Sequence, residues 1–334
     1  MGATAEILGW LKASGLAARD EAPAITSLTG GVSSDVFRVD LRTGPICVKA
    51  ALDKLRVAAD WRAPVERSAN EANYLRAAAD LGGLIVPSVL AEDAARHIFA
   101  MSWFEPAHHP VWKAELAAGR VDPTVAQAVG GGLARIHGAT AGRDEIAARF
   151  DTTDMFEALR LEPYLAHTAK AHPLLAGRIE AIAETTRTAR LALVHGDVSP
   201  KNILVGPAGP VLLDAECAWY GDPAFDIAFC ANHLLLKAVW KPAHAKACGD
   251  AFDALVQAYL SGTTWEPAEA LERRAAPLLA ALLLARIDGK SPVEYLTADA
   301  DKTLVRDVAT GVLTRDVARF ADVRRALFER LGAR

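Results

Sequence analysis

The sequence predicts an α+β chain of two lobes, a small antiparallel-sheet lobe followed by a larger, mainly helical one. Three observations predict it. Residues 25–105 carry short runs of β-branched and apolar residues broken by turn formers, with one helical pattern among them. Beyond Pro106, Ala- and Leu-rich segments take over and their apolar positions recur at helical spacing. A compact strand-like island, LALVHGDVSPKNILVGPAGPVLLDAE (191–216), interrupts the helices. The join falls near 103–107, which gives lobes of residues 1–105 and 106–334.

Taken in order, TAEILGWLKASGLAA (4–18) places apolar residues on one helical face and runs into Gly15, so a short opening helix is expected. ITSLTGGVSSDVFRVDL (25–41) is a β-like run broken by Gly30-Gly31 and two serines, and PICVKAAL (45–52) is the strand after it. A hairpin through Arg42-Thr43-Gly44-Pro45 connects them. RSANEANYLRAAADLG (67–82) has a 3.6-residue period and stops at Gly82-Gly83, as helices commonly do. VPSVLAED (86–93) and RHIFAMSWFE (96–105) supply two further strands, completing a β-β-α-β-β order. PTVAQAVGGGLARIHGAT (123–140) opens the helical part, helices continue to about 190, and helix resumes from about 224 after the island.

Composition narrows the class. Lys and Arg total 37 against 41 Asp and Glu, a net charge of −4. That balance argues against a nucleic-acid partner, which would favour a basic surface. Cys47, Cys217, Cys230 and Cys248 form no C-x-x-C pair and suit reduced, buried thiols. MGATAEILGWLKASG lacks the basic and apolar regions of a signal peptide, and Glu6 breaks a myristoylation pattern. The longest apolar stretch, Leu278 to Ala285, is too short to span a bilayer. The expectation is a cytoplasmic protein with neither membrane nor nucleic acid as partner.

The island carries the chemistry. His195-Gly196-Asp197-Val198-Ser199-Pro200-Lys201-Asn202 leads into a strand, a Gly-Pro turn and a second strand that delivers Asp214-Ala215-Glu216. Two paired strands with a turn of this length return Asp214 beside Asn202. Carboxylate and carboxamide oxygens at one point are hard ligands, suited to Mg²⁺ rather than zinc. Asp197, a few residues upstream, is free to face a substrate hydroxyl as base or orienter. Upstream, Lys49 sits mid-strand among apolar residues, a costly position unless it is paired. Glu71 and Glu66 are both candidate partners. Gly30-Gly31-Val32-Ser33-Ser34, one strand earlier, offers free N–H groups and hydroxyls suited to phosphate, or makes an ordinary hairpin.

The loop H-G-D-x-x-x-x-N resembles the catalytic loop of kinases in its aminoglycoside-phosphotransferase form. Asp214 matches that family's Mg-binding aspartate, and Gly221-Asp222-Pro223-Ala224-Phe225-Asp226-Ile227-Ala228 resembles its G-D-P-x-x-D-[IL]-A stretch. The resemblance implies a bilobal protein-kinase-like fold and an ATP- and Mg-dependent phosphotransferase acting on a small-molecule hydroxyl, as a monomer or homodimer. It implies Asp197 as the catalytic aspartate, Asn202 and Asp214 as metal ligands, and Lys49 with Glu71 at the α- and β-phosphates. It also implies Gly30, Gly31, Ser33 and Ser34 over the nucleotide, Ser102 and Phe104 at the adenine edge, and Asp226 as a structural tie for the catalytic loop. Asp214-Ala215-Glu216-Cys217-Ala218-Trp219-Tyr220-Gly221 further resembles a D-P-E-F-A-F-Y-G run of methylthioribose kinases, which are relatives. The alternatives are a methylthioribose-kinase-like sugar kinase and a nucleotide-binding protein without catalysis, though chains of the latter kind commonly lose one of Lys49, Asp197, Asn202 and Asp214. A metal-dependent hydrolase would require more carboxylate or histidine ligands than this cluster offers.

Other features are assigned no function. Gly130-Gly131-Gly132 lies inside a helical pattern and allows close helix packing. Gly289-Lys290-Ser291 lacks the first glycine of a phosphate loop, and His108, His109 and His137 have no partner at metal spacing. His195 is expected to anchor its loop. Asp151, Asp154, Glu157 and Glu162 are candidate acids for a cationic acceptor or else solvated helix surface.

Overall fold

The computed structural model describes residues 3–28, 34–52 and 64–332. Gly30, Gly31 and Ser33 lie outside the described residues. The opening helix, α1 (Ala3–Ala13), ends before Gly15, whose φ of +78° turns the chain. Five strands follow as one antiparallel sheet: β1 (Ala24–Leu28), β2 (Ser34–Leu41), β3 (Gly44–Ala51), β4 (Val89–Asp93) and β5 (Ile98–Ser102), in the order β1-β2-β3-β5-β4. The expected hairpin closes between Leu41 and Gly44, where a φ of +119° needs glycine.

Helix α2 (Arg67–Leu81) crosses between β3 and β4 and stops at Gly82, which takes the left-handed conformation. Its buried face includes Glu71, Tyr74 and Leu75. Since Lys49 pairs with Val36 on one side and Phe99 on the other, it belongs to an interior strand and its side chain has no edge to escape from.

The remainder is mostly helical. Pro123–Thr140 is a helix throughout, capped by Asp122 onto the Thr124 N–H. Its triple glycine has an uneven logic. A Cβ on Gly130 would stand 2.2 Å from the Leu255 carbonyl oxygen of helix Ala245–Gly262, and one on Gly132 would strike Leu84 at 2.5 Å, whereas Gly131 has open space. Two of the three glycines therefore set the close approach of their neighbours.

The island forms two small antiparallel pairs. β7 (Ile203–Gly206) pairs with β8 (Gly209–Leu212), and β6 (Ala192–Val194) pairs with β9 (Trp219–Gly221). The strand β9, its Trp219 stacked on Phe156, adds to the sequence expectation. The hairpin β7–β8 is docked by Leu212 N–H to Ile85 O and Val205 N–H to Pro110 O, each 2.8 Å. A second departure is the stretch Glu157–Ala166, which is π-helical with Pro163 inside it. Proline has no N–H for an α-helical ladder, and the His167 N–H reaches five residues back to Glu162 O. No helix among the described residues is long and apolar enough to cross a membrane.

Candidate active site

A cleft of about 550 Å³ is lined by β2, β3, the segment after β5 and the island loop. Lys49, Glu71, Ser34, Ser102, Phe104, Asp197, Asn202 and Asp214 all stand on its wall.

Lys49 Nζ lies 2.6 and 2.8 Å from the two Glu71 oxygens and 2.7 Å from Asp214 Oδ1. Glu71 is thus the partner, and Glu66 instead stands at the start of α2. Burial opposes the charge of Lys49, but Asp214 and Glu71 outweigh it and keep the ammonium protonated. Burial pushes the Glu71 carboxyl upward against the pull of Lys49. Asp214 goes the other way: despite burial, Lys49 and Lys201 hold it well below the usual carboxylate range. Its backbone has a φ of +69°, a rare conformation for a non-glycine residue and one that costs strain.

Asp197 is 2% exposed and its Oδ2 is held three ways. Arg160 Nη2 reaches it at 2.9 Å, Lys201 Nζ at 3.0 Å and Asn202 Nδ2 at 2.9 Å. Its other oxygen, Oδ1, is buried without a hydrogen-bond partner. Burial resists ionisation of this carboxyl, but Arg160 and then Lys201 prevail and hold it below the usual aspartate range. Asn202 spends its amide nitrogen on Asp197, which leaves its amide oxygen as the end available to a cation. The bond from Leu213 N–H to Asn202 O, 2.9 Å, brings Asp214 alongside.

The loop is fixed from beneath. Asp226 accepts the N–H groups of His195 and Gly196, both at 2.8 Å, and His137 Nε2 lies 3.2 Å from the same carboxylate. His195 Nδ1 accepts the Asp197 N–H at 3.1 Å, so Nε2 carries the proton toward Leu213 O, also 3.1 Å away. Burial, the leading cause, drives the His195 pKa down and keeps the ring neutral. Gly196 has a φ of +79°, and a Cβ there would meet Cys217 O at 2.8 Å. The His-Gly-Asp order is thereby explained position by position.

At the other end, Ser102 exchanges bonds with Ser88: its N–H donates to Ser88 O at 2.9 Å and its hydroxyl accepts the Ser88 N–H at 3.0 Å. Phe104 packs edge-on against His109. Glu216 also reaches the wall, with Arg67 Nε 3.3 Å from its carboxylate.

Arg160, Tyr164, Lys201, His109 and Ser291 line the cleft with no role assigned from sequence. Arg160 donates to Gly196 O at 2.5 Å and to Leu159 O at 2.7 Å as well as to Asp197. Nothing in the order of residues marks it, because the π-helical turn decides where it points. Lys201 had a signal, its spacing of four from Asp197. The acids Asp151, Asp154, Glu157 and Glu162 are not on the cleft wall; Asp151 pairs with Arg190 and Glu157 with Arg187.

Known proteins of similar sequence and fold point the same way. The model of the phosphotransferase enzyme family matches residues 24–271. Methylthioribose kinase 1 of Oryza sativa subsp. japonica is 27% identical over 281 residues, 74% of this chain and 65% of its own length. A methylthioribose kinase of Escherichia coli O45:K1 is 27% identical over 253 residues, 65% of this chain and 58% of its own. The chain therefore spans less than two thirds of these relatives. Among solved structures, an amicoumacin kinase in complex with AMP-PNP and Ca²⁺ superposes with a TM-score of 0.60 at 14% identity, covering 95% of this chain and 96% of that one. A choline/ethanolamine kinase family protein from Mesorhizobium loti gives 0.54 at 20% identity, covering 97% and 98%. These likenesses establish the bilobal kinase-like fold.

Proposed function

This chain belongs to the phosphotransferase enzyme family, and from that premise we propose that it moves the γ-phosphoryl group of ATP to a hydroxyl of a small molecule, with Mg²⁺ as its metal, in the cytoplasm. The lobes 1–105 and 106–334 would enclose the nucleotide between them. The observation that carries the reading is the clasp of Lys49 by Glu71 and Asp214 at 2.6 and 2.7 Å on the cleft wall. A buried lysine so placed is a ready phosphate grip, held in register by one carboxylate while it can trade the other for a phosphate oxygen.

The donor set fits Mg²⁺. Asp214 and Asn202 offer hard oxygens, and no group of three His, Cys, Asp or Glu fit to hold a metal exists among the described residues. That suits an ion sharing its shell with phosphate and water rather than one caged by protein. Bound there, Mg²⁺ would neutralise charge on the phosphates.

Asp197 works on the acceptor. Its Oδ2 is immobilised by three donors, so the unpartnered Oδ1 is the atom available to accept the substrate O–H. Held ionised, it orients that hydroxyl and takes its proton late in the transfer. Ser34, Ser102 and Phe104 are assigned to the nucleotide side. Gly30, Gly31 and Ser33 keep the role over the phosphates that the family resemblance implies.

The test is acceptor-dependent ADP release from Mg-ATP across aminoglycosides, methylthioribose, choline, homoserine and simple sugars. Methylthioribose heads the panel because the matched relatives bear its name. Asp197→Asn should lose at least about a hundredfold in kcat. Unchanged turnover in that variant would sink the assignment.

A further inference from the structure

Among the described residues, every carboxylate on the cleft wall is already engaged. Glu71 and Asp214 face Lys49, Glu216 faces Arg67, and Asp197 faces Arg160 and Lys201. Beyond Asp197 the wall continues through Arg160, Tyr164 and Ser291, and none of these is acidic. Among the described residues, this end of the cleft has no free acid to meet an ammonium group.

Directly behind it lies Arg286, 9% exposed. Its Nη1 donates to the Tyr164 hydroxyl and to the Ser291 hydroxyl at 3.2 Å each, and also to Ser291 O. Its Nε is buried without a partner, and no carboxylate lies in ion-pair range of the guanidinium among the described residues. A buried guanidinium without a counter-charge is expensive, and such groups normally find an anion. Further cations gather around the same point: His233, buried and kept neutral chiefly by burial, feels Arg286, Lys201, Lys237 and Lys113 in that order. Lys237 is buried against the Trp240 and Tyr295 rings, its ammonium lacking any hydrogen-bond partner. The carboxylate near this cluster, Glu294, is taken by Lys113.

We propose that the acceptor end of the cleft is an anion site, in which Lys201 on the wall, backed by Arg286 through the Tyr164 and Ser291 hydroxyls that it holds, receives a carboxylate or phosphate group carried by the hydroxyl-bearing substrate. The substrate class is thus an anionic polyol, such as a sugar acid or sugar phosphate, since a cationic acceptor would meet no unpaired carboxylate at this end among the described residues. This inference rests on the kinase reading for its use of the site, but its binding chemistry is independent of turnover.

The experiment measures binding to the Mg-ADP-loaded protein by calorimetry, with matched pairs: gluconate against sorbitol, and ribose 5-phosphate against ribose, with choline and kanamycin as cations. Ribose 5-phosphate and gluconate together separate a phosphate preference from a carboxylate one. We expect at least one anion to bind about tenfold or more tightly than its neutral partner, with the cations no better than the neutrals. Arg286→Met should abolish that advantage while Arg286→Lys keeps part of it. Should the buried Arg286→Met protein fail to fold, Lys201→Met at a half-exposed side chain takes its place. Preferential binding or phosphorylation of kanamycin or choline, or no anion favoured over its neutral partner at millimolar concentration, overturns the inference. If Mg-ADP itself does not bind, the nucleotide reading fails instead, and the same pairs are compared on the free protein.

Discussion

Lys49 and Asp214, 165 residues apart, meet at 2.7 Å across the cleft, while the same ammonium stays 2.6 Å from Glu71. One cation thus joins the sheet, the helix α2 and the island. Removing it as Lys49→Met leaves Glu71 and Asp214 without the buried cation they share and should cost about 3–5 kcal/mol in urea unfolding. Adding Glu71→Met should return much of that loss. The double variant should stay inactive, because the proposed phosphate grip is gone.

Asp226 touches no part of the cleft, yet it should matter almost as much for rate. Asp226→Ala strips acceptors from the His195 and Gly196 N–H groups, costing about 1–3 kcal/mol per buried donor. Turnover should fall as the loop loosens, and Asp226→Asn, with one acceptor oxygen left, should lie between. Unfolding curves and ADP release on the three proteins check the order.

The neutral His195 sets a direction for pH. Its folded pKa is lowered below the ordinary value of about 6.5, so under that pH the unfolded chain gains a proton that the folded one refuses. Stability contributed here is present above about pH 6.5 and declines as pH falls through it. His233, lowered by burial and then Arg286, acts in the same sense. Denaturation midpoints should fall on acidification, and His195→Gln should flatten the slope.

The glycines of the helix Pro123–Thr140 give a paired test. Gly130→Ala forces a methyl to 2.2 Å from Leu255 O and should destabilise by about 1–3 kcal/mol. Gly131→Ala meets nothing within 4 Å and should gain up to about 1 kcal/mol from helix propensity. Thermal melts of the two variants should move in opposite directions.

Much of this molecule was legible in its order of residues. The β-β-α-β-β arrangement, the Leu41–Gly44 hairpin and the stop at Gly82 follow from local chemistry, since period, turn formers and left-handed glycine act within a few residues. The convergence of Asp197, Asn202 and Asp214 could be read in advance because a loop and two short strands bring them to one place. What escaped depends on distance or on irregular backbone. The choice of Glu71 over Glu66 requires the rotation of α2, and Arg286 requires packing of the helix Ala268–Asp288 behind Tyr164. Whether the acids of 151–162 face the cleft or solvent could not be read along the chain, since Asp151 pairs with Arg190 and Glu157 with Arg187 across 39 and 30 residues.

The wide turn through Glu157–Ala166 has a consequence for how this segment tolerates length change. A π-helical stretch is an α-helix carrying a surplus residue, and removing one residue would let the ladder revert to ordinary spacing. The helix on one side of the cut would then rotate by roughly 100° relative to the other side. Arg160 would swing away from Asp197 and Gly196 without any substitution at the site. A one-residue deletion at the start of this segment would therefore act as a silent detuning of Asp197, the proposed catalytic aspartate, with the helix itself made more regular.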